Sequence, residues 1–341
     1  MSNIKKLPLT DVQFAYMFGR NSSIYLGGIA THFYAEFDTK LNPKRFEEAL
    51  NKVIQRQEML RAYICKDGTQ VIMEEVPYYE VEYTDLSKLT EEEKTKEIES
   101  YRAQNSNRII PLDTWPMFGF KFFRKDEESS VLAVDIDMMI VDGMSTELLI
   151  HQVMQYYNGE AVEPTIEVCF SDYMELEKQK REKMEAVDKE FWMQNIQNFT
   201  AGPFIEKVQK DAPDIPYFYS LENVIEAEKW SAVERKLRKQ RILPTIYLLT
   251  AYARMVSAWT NNEKLTINMT VSDRNNGYGK NFNETIGDFT KILPVDFDFT
   301  ESEDLITTAK KTQNKIAEYK KHMNCNITSF AREVALKDQM E

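Results

Sequence analysis

The sequence is poor in the residues that build the commonest catalytic and cross-linked scaffolds. Its 341 residues hold only three histidines, His32, His151 and His322, and three cysteines, Cys65, Cys169 and Cys325. The cysteines are odd in number, widely spaced and without a Cys-x-x-Cys pair, which argues against a disulfide frame or a zinc site and points to reduced thiols in the cytoplasm. No apolar stretch approaches the roughly 18 residues that would cross a bilayer, and Met1-Ser-Asn-Ile-Lys-Lys is not followed by the apolar run of a signal peptide. A protein neither exported nor membrane-bound is expected. A cationic surplus is also missing: 43 Lys and Arg against 55 Asp and Glu leave a net charge of -12, so no nucleic-acid partner is expected. Neither a Gly-x-Ser-x-Gly elbow, a Walker loop nor a Gly-x-Gly-x-x-Gly turn occurs, which removes support for serine hydrolysis, nucleotide hydrolysis and dinucleotide binding.

Hydrophobic residues, in contrast, make up 43% of the chain and aromatics 12%, more than one core of typical size needs, so two lobes are expected. From Pro43, the spacing of Phe46, Leu50, Val53, Ile54 and Leu60 predicts an amphipathic helix. Two short extended runs around Asp67-Gly68 predict a β-hairpin, since this dipeptide suits a tight turn. The Glu- and Lys-rich stretch from Lys88 to Arg102 reads as a solvated helical face. Phe118 to Phe123 and Ser130 to Met139 predict a second hairpin, and Leu149, Ile150, Val153, Met154 and Tyr157 the helix after it. Asp142 and Ser145 then fall on a tight strand-to-helix turn, and His151 is an ordinary boundary residue of the helix. The polar stretch Asn158 to Pro164 is the expected linker, dividing lobes 1–160 and 161–341.

In the second half, a charged helix carries Tyr173, Leu176, Phe191 and Trp192. Pro244 opens a helix lined on one side by Leu248, Leu249, Tyr252, Met255, Val256 and Trp259. Lys264 to Val271 alternates as a strand, Asn275 to Gly279 makes a loop, and Ile286 to Phe299 forms another strand with Gly287 at its head. Pro294 marks an edge or an irregularity in it.

The chemistry-bearing residues concentrate in Asp137-Met-Met-Ile-Val-Asp142-Gly-Met-Ser145. An Asp before Gly at a strand-to-helix turn commonly bonds its own backbone or caps the helix, and for Asp142 and Ser145 that reading is preferred, with shaping of a site wall as its by-product. Asp135 and Asp137 share one face of a regular strand. For Asp137, a polar contact to substrate and a structural hydrogen bond stay equally open. Three nearby carboxylates without a fourth ligand do not make a metal site.

Several blocks resemble the heterocyclization branch of nonribosomal peptide synthetase condensation domains. Leu9-Thr-Asp-Val-Gln13-Phe-Ala15-Tyr16-Met-Phe-Gly19-Arg20 resembles its opening block at every fixed position. Arg56-Gln-Glu-Met59-Leu60-Arg61, followed by Asp67-Gly68-Thr-Gln70, resembles the second, although Gln57 stands where a His is usual. Ala212-Pro213-Asp-Ile-Pro216 weakly echoes a connecting block, and Pro244 with Trp259 and Gly287-Asp288-Phe289-Thr290 resemble two more. Peptide-condensing relatives carry His-His-x-x-x-Asp-Gly where this chain has Asp137, Met138 and Asp142, and Met138 cannot accept a proton. Asp137, Asp142 and Ser145 fit the Asp-x-x-x-x-Asp-x-x-Ser pattern of the heterocyclization branch.

The resemblance implies an α/β fold of two chloramphenicol acetyltransferase-like lobes, a V-shaped pseudo-dimer with a tunnel between them, the second lobe incomplete. It implies catalytic roles for Asp137, Asp142 and Ser145, and structural or interlobe roles for Arg20 and for Arg274, which would meet Asp142. Asp288 and Thr290 would be tunnel-wall residues or strand residues paired across a sheet. It implies no cofactor on the domain itself. Substrates would arrive as thioesters on the phosphopantetheine arms of upstream and downstream carrier domains, with an adenylation domain in the same assembly line, for siderophore or antibiotic synthesis. The implied reaction joins an acyl group to carrier-bound Cys, Ser or Thr and closes a thiazoline or oxazoline. The family's later Phe-Thr-Ser and Thr-Pro-Gln-Val-x-Leu-Asp blocks, with its Thr and Asp for cyclodehydration, are not in this sequence. A fragment that only binds carriers and an enzyme that forms only the amide are the alternatives.

Overall fold

The computed structural model describes residues 5–23, 27–202, 223–274 and 279–340. The Ala212 to Pro216 block and the Asn275 to Tyr278 part of the expected loop lie outside them. The chain divides into two compact units, residues 1–176 with 272–290 and residues 177–271 with 291–341. Residues 161–176 and 272–290 thus pack with the first unit, on the far side of a division after residue 160. Aromatic packing explains it: Phe170 meets Phe289 and Tyr173 meets Phe282 edge-on, at 5.2 and 5.9 Å between ring centres.

The first unit runs through β1 (Lys5–Pro8), α1 (Asp11–Gly19), β2 (His32–Thr39), α2 (Pro43–Arg56), β3 (Ala62–Ile64), β4 (Thr69–Ile72), β5 (Glu82–Asp85), α3 (Glu91–Asn105), β6 (Phe118–Arg124), β7 (Ser130–Asp137) and α4 (Gly143–Asn158). The amphipathic pattern of α2 buries Phe46, Leu50, Val53 and Ile54. Asn42 caps it, its side-chain oxygen accepting the Arg45 N–H at 3.0 Å, and Pro43 occupies the first turn, where a missing N–H costs nothing. Leu60 lies beyond the helix, in a short 3-10 turn. The Asp67-Gly68 hairpin forms between β3 and β4, with Gly68 at φ +78°, a conformation that strains any side chain.

The larger sheet has the order β2-β7-β6-β5, with β7 antiparallel to both neighbours and β5 parallel to β6. Every residue of β7 is buried. Leu132, Val134 and Ile136 face the core shared with α2 and α4, whereas Val131 and Ala133 face Ile98 of α3. Asp135 and Asp137 follow on that second face by strand alternation. The central strand therefore delivers two carboxylates into a covered, low-dielectric layer.

α5 (Phe170–Gln194) starts in the first unit and runs into the second, which continues through α6 (Ala227–Gln240), α7 (Pro244–Thr260), β8 (Lys264–Ser272), β9 (Thr290–Asp298), α8 (Leu305–Tyr319) and α9 (Ile327–Met340). Trp192, Phe199, Tyr319 and Phe330 centre its core, and the Trp192 indole N–H donates to the His322 carbonyl at 2.6 Å. Two expectations are corrected here. On α7, Leu248, Tyr252, Met255 and Trp259 of the expected stripe are exposed, while its Val256 is buried with Ile246, Thr250, Ala253 and Ser257, the small residues among these admitting the close approach of a neighbouring element. The strand expected from Ile286 starts only at Thr290, because residues 286–289 are bonded into the site below.

Candidate functional site

The turn after β7 sets the first half of the site. Asp142 caps α4, its Oδ1 accepting the Ser145 N–H at 2.6 Å, and Gly143 enters the helix directly behind it. The Ser145 hydroxyl donates to the Gly287 carbonyl at 2.7 Å and accepts the Gly287 N–H at 3.1 Å. Asp142 adds its own N–H to the Gly287 carbonyl at 3.1 Å and takes the Phe289 N–H on Oδ2 at 3.3 Å. Arg274 closes the frame: Nη2 donates to Ser145 Oγ at 2.8 Å and to both Asp142 oxygens at 3.2 and 3.3 Å. Its Nη1 donates to the carbonyls of Phe282, at 2.8 Å, and Thr285, while the guanidinium lies 4.0 Å from the Phe289 ring centre. Arg274 is 2% exposed, and its burial lowers its pKa against the pull of Asp142.

The arrangement pins residues 282–289 to the start of α4. Gly287 has no alternative, since a Cβ there would lie 2.2 Å from Phe170 Cδ2. Gln57, at the position where the family usually has His, supports the same loop. Its amide donates to Glu284 O at 2.8 Å and Gln152 Oε1 at 2.9 Å, and its carbonyl accepts the Ile286 N–H at 2.9 Å.

Asp137 occupies a separate position. Its Oδ2 is ion-paired with Arg20, whose other nitrogen donates to the Ile110 carbonyl at 2.7 Å, and its Oδ1 accepts the Met139 N–H at 3.0 Å. The side chain has no exposed surface, so burial pushes its pKa up while Arg20 draws it down. Both oxygens thus have protein partners. Arg20 and Arg274 both make their contacts inside the first unit.

Asp288 and Thr290 meet each other: the Thr290 N–H donates to Asp288 Oδ1 at 3.0 Å. Asp288 stands before β9 and is fully buried, its Oδ2 without a partner, and burial pushes the carboxyl up to about 7. Asp288 and Asp142 together raise the nearby Tyr16 hydroxyl, after burial as the larger cause. Sequence reasoning did not single out Gln57 or Tyr16 as functional. For both the signal was available, since both stand in the quoted blocks.

The buried arginine-locked turn sits on a mixed α/β frame, with Asp137 and Met138 at the positions where the resembled peptide-condensing relatives carry paired histidines. Residues 3–341 match the condensation-domain model, and the chain belongs to that family. It is 28% identical to bacitracin synthase 1 of Bacillus licheniformis over 98% of this chain, and 24% identical to the pyochelin synthetase PchF of Pseudomonas aeruginosa over 97%. It spans 6% and 18% of those two proteins' lengths. Among solved structures, the EpoB cyclization-docking bidomain from Sorangium cellulosum superposes with a TM-score of 0.88 at 26% identity, covering 98% of this chain and 68% of that one. Nonribosomal peptide synthetase condensation domains act on carrier-tethered substrates. Among the described residues, no helix is long and apolar enough to cross a membrane.

Proposed function

We propose that this chain condenses a carrier-bound acyl thioester with carrier-bound Cys, Ser or Thr and closes the product to a thiazoline or oxazoline. The observation that carries this reading is the carboxylate pattern of Asp137, Asp142 and Ser145 with Met138 between them, in a chain similar to a cyclization domain. Met138 offers no imidazole base, so amide formation would rest on holding the amine and the thioester carbon together, which by itself supplies much of a bimolecular barrier. In this reading Asp142, Ser145 and Arg274 fix the loop carrying Asp288 and Thr290, and Asp137 fixes Arg20 and the end of β7. Their contribution is positional, and Thr290, next to the buried Asp288, lines the path of the substrate. Upstream and downstream carrier domains and an adenylation domain are the proposed partners.

Product mass tests the reading. With donor and acceptor carriers loaded, a product lighter than the amide by one water is expected. An uncyclized amide would establish the condensing alternative, and no product would leave carrier binding alone.

A further inference from the structure

The net negative charge hides one local reversal in the second unit. Against 55 acidic residues in the whole chain, Arg235, Lys236, Arg238, Lys239 and Arg241 fall within seven positions at the end of α6, with no acid among them. All five are exposed, and among the described residues none of them makes an ion pair or a side-chain hydrogen bond. Exposed cations elsewhere do find carboxylates: Lys40 meets Glu128 at 3.6 Å and Lys321 meets Glu318 at 2.6 Å. Glu234 stands four residues before Arg238, a spacing at which helices commonly pair such residues, and no ion pair forms there either.

Helix geometry gathers these charges into one face. Val233 and Leu237 turn inward to pack with Ile242 and Ala309, which puts Ala232, Arg235, Lys236 and Lys239 on the opposite side. Together with Arg238 they line an open recess of about 490 Å³. Cations at the carbonyl end of a helix complement its dipole, which accounts for Arg238, Lys239 and the C-cap Arg241. That effect fades beyond the last turn and leaves Arg235 and Lys236 unexplained. Like charges three and four residues apart, as Arg235 is from Arg238 and Lys239, cost a helix stability, so the face is held at an expense that a bound anion would relieve.

The size and surroundings of the face select the kind of anion. From Arg235 to Lys239 the helix rises about 6 Å, roughly one turn of a facing helix and too short to gather the several phosphates that give a nucleic acid its affinity. The net charge of -12 also repels an extended polyanion. No large apolar side chain is exposed between Ala227 and Gln240, so a bilayer finds nothing there to bury. Carboxylates suit the face, because each planar guanidinium offers a carboxylate two parallel N–H donors. We propose that this face of α6 docks an acidic segment of a partner protein, its carboxylates one helical turn apart, seated against Ala232 and held by Arg235, Lys236, Arg238 and Lys239. The surface is independent of the heterocyclization reading and needs no turnover to be observed.

The test titrates a fluorescein-labelled helical peptide, with Glu at every fourth position, with the whole chain and follows anisotropy, the same peptide with Gln for Glu serving as control. The Glu peptide should saturate below about 1 mM and the Gln peptide should not. Raising sodium chloride from about 50 to about 300 mM should weaken binding several-fold, since exposed charges are screened. Arg235→Glu with Lys239→Glu should lower affinity about ten-fold or more at unchanged circular dichroism, whereas Lys40→Glu with Lys321→Glu, the same change in net charge elsewhere, should leave it within about two-fold. The Arg235→Glu, Lys239→Glu chain should in turn bind a Lys version of the peptide, which a chain with a merely loosened α6 would not do. Equal losses in the two double variants would overturn the proposal, as would an RNA duplex or phosphatidylserine vesicles binding through Arg235 and Lys239 more tightly than the Glu peptide. So would a Glu peptide that does not saturate in that range.

Discussion

The Arg274–Asp142 pair and the Arg20–Asp137 pair are both buried ion pairs of the first unit, yet they are finished differently. Around Arg274, both terminal nitrogens are spent on Asp142, Ser145 and two loop carbonyls, and Nε has no partner. Around Arg20, the terminal nitrogens reach Asp137 and one carbonyl, that of Ile110, and no second loop is tied in. A buried pair whose arginine also reaches loop carbonyls holds that loop in place, and removing the cation leaves an uncompensated buried charge.

Breaking the Arg274 frame should have the largest effect. Arg274→Ala leaves Asp142 buried without its cation and strands two carbonyls, and should cost about 3–5 kcal/mol, read from urea unfolding. Gly287→Ala drives a methyl into Phe170 and should cost about 1–3 kcal/mol by overpacking, in the same measurement. Gln57→Ala, which strands the Ile286 N–H and loosens the Glu284 carbonyl, should cost about 1–2 kcal/mol.

Asp288 gives the comparison a pH dependence. Its folded pKa, about 7, stands above the ordinary 3.8, so folding favours the neutral acid. That contribution is complete below about pH 4 and is lost as the pH rises through 7. Asp288→Asn, which keeps the acceptor for the Thr290 N–H, should gain stability relative to the parent chain between pH 4 and 7.5, measured as urea midpoints. An unchanged difference would mean that Asp288 is ionised when folded. Arg108→Lys, at the Arg108–Asp135 pair, should have the smallest effect on stability, under about 1 kcal/mol, because its side chain is a third exposed and retains the charge opposite Asp135.

Local features of this architecture were legible in the sequence. The α2 stripe, the Asp67-Gly68 hairpin, the β6 and β7 pair and the Asp142 cap each depend on residues close in the chain. The Arg274 contact with Asp142 was reached through resemblance, being 132 residues away in sequence. The Arg20 contact with Asp137, 117 residues away, was not reached at all, because nothing in either segment encodes the other's register. On α7 the pattern misled for another reason. Four large apolar residues of the expected stripe are exposed, while Val256 is buried beside Ile246, Thr250, Ala253 and Ser257, so periodicity alone could not choose the face. The packing of residues 272–290 with the first unit was invisible for the same physical cause: it is set by Phe170, Tyr173, Phe282 and Phe289 meeting across distant segments.

In the proposed reading, Ser145 and Asp142 act by holding the 282–289 loop. Hydrogen exchange at the Gly287 and Phe289 amides in Ser145→Ala tests it most directly. Both amides should lose protection, and product formation should fall with them. Full protection at both amides together with lost product would contradict the claim and make the Ser145 hydroxyl a chemical participant.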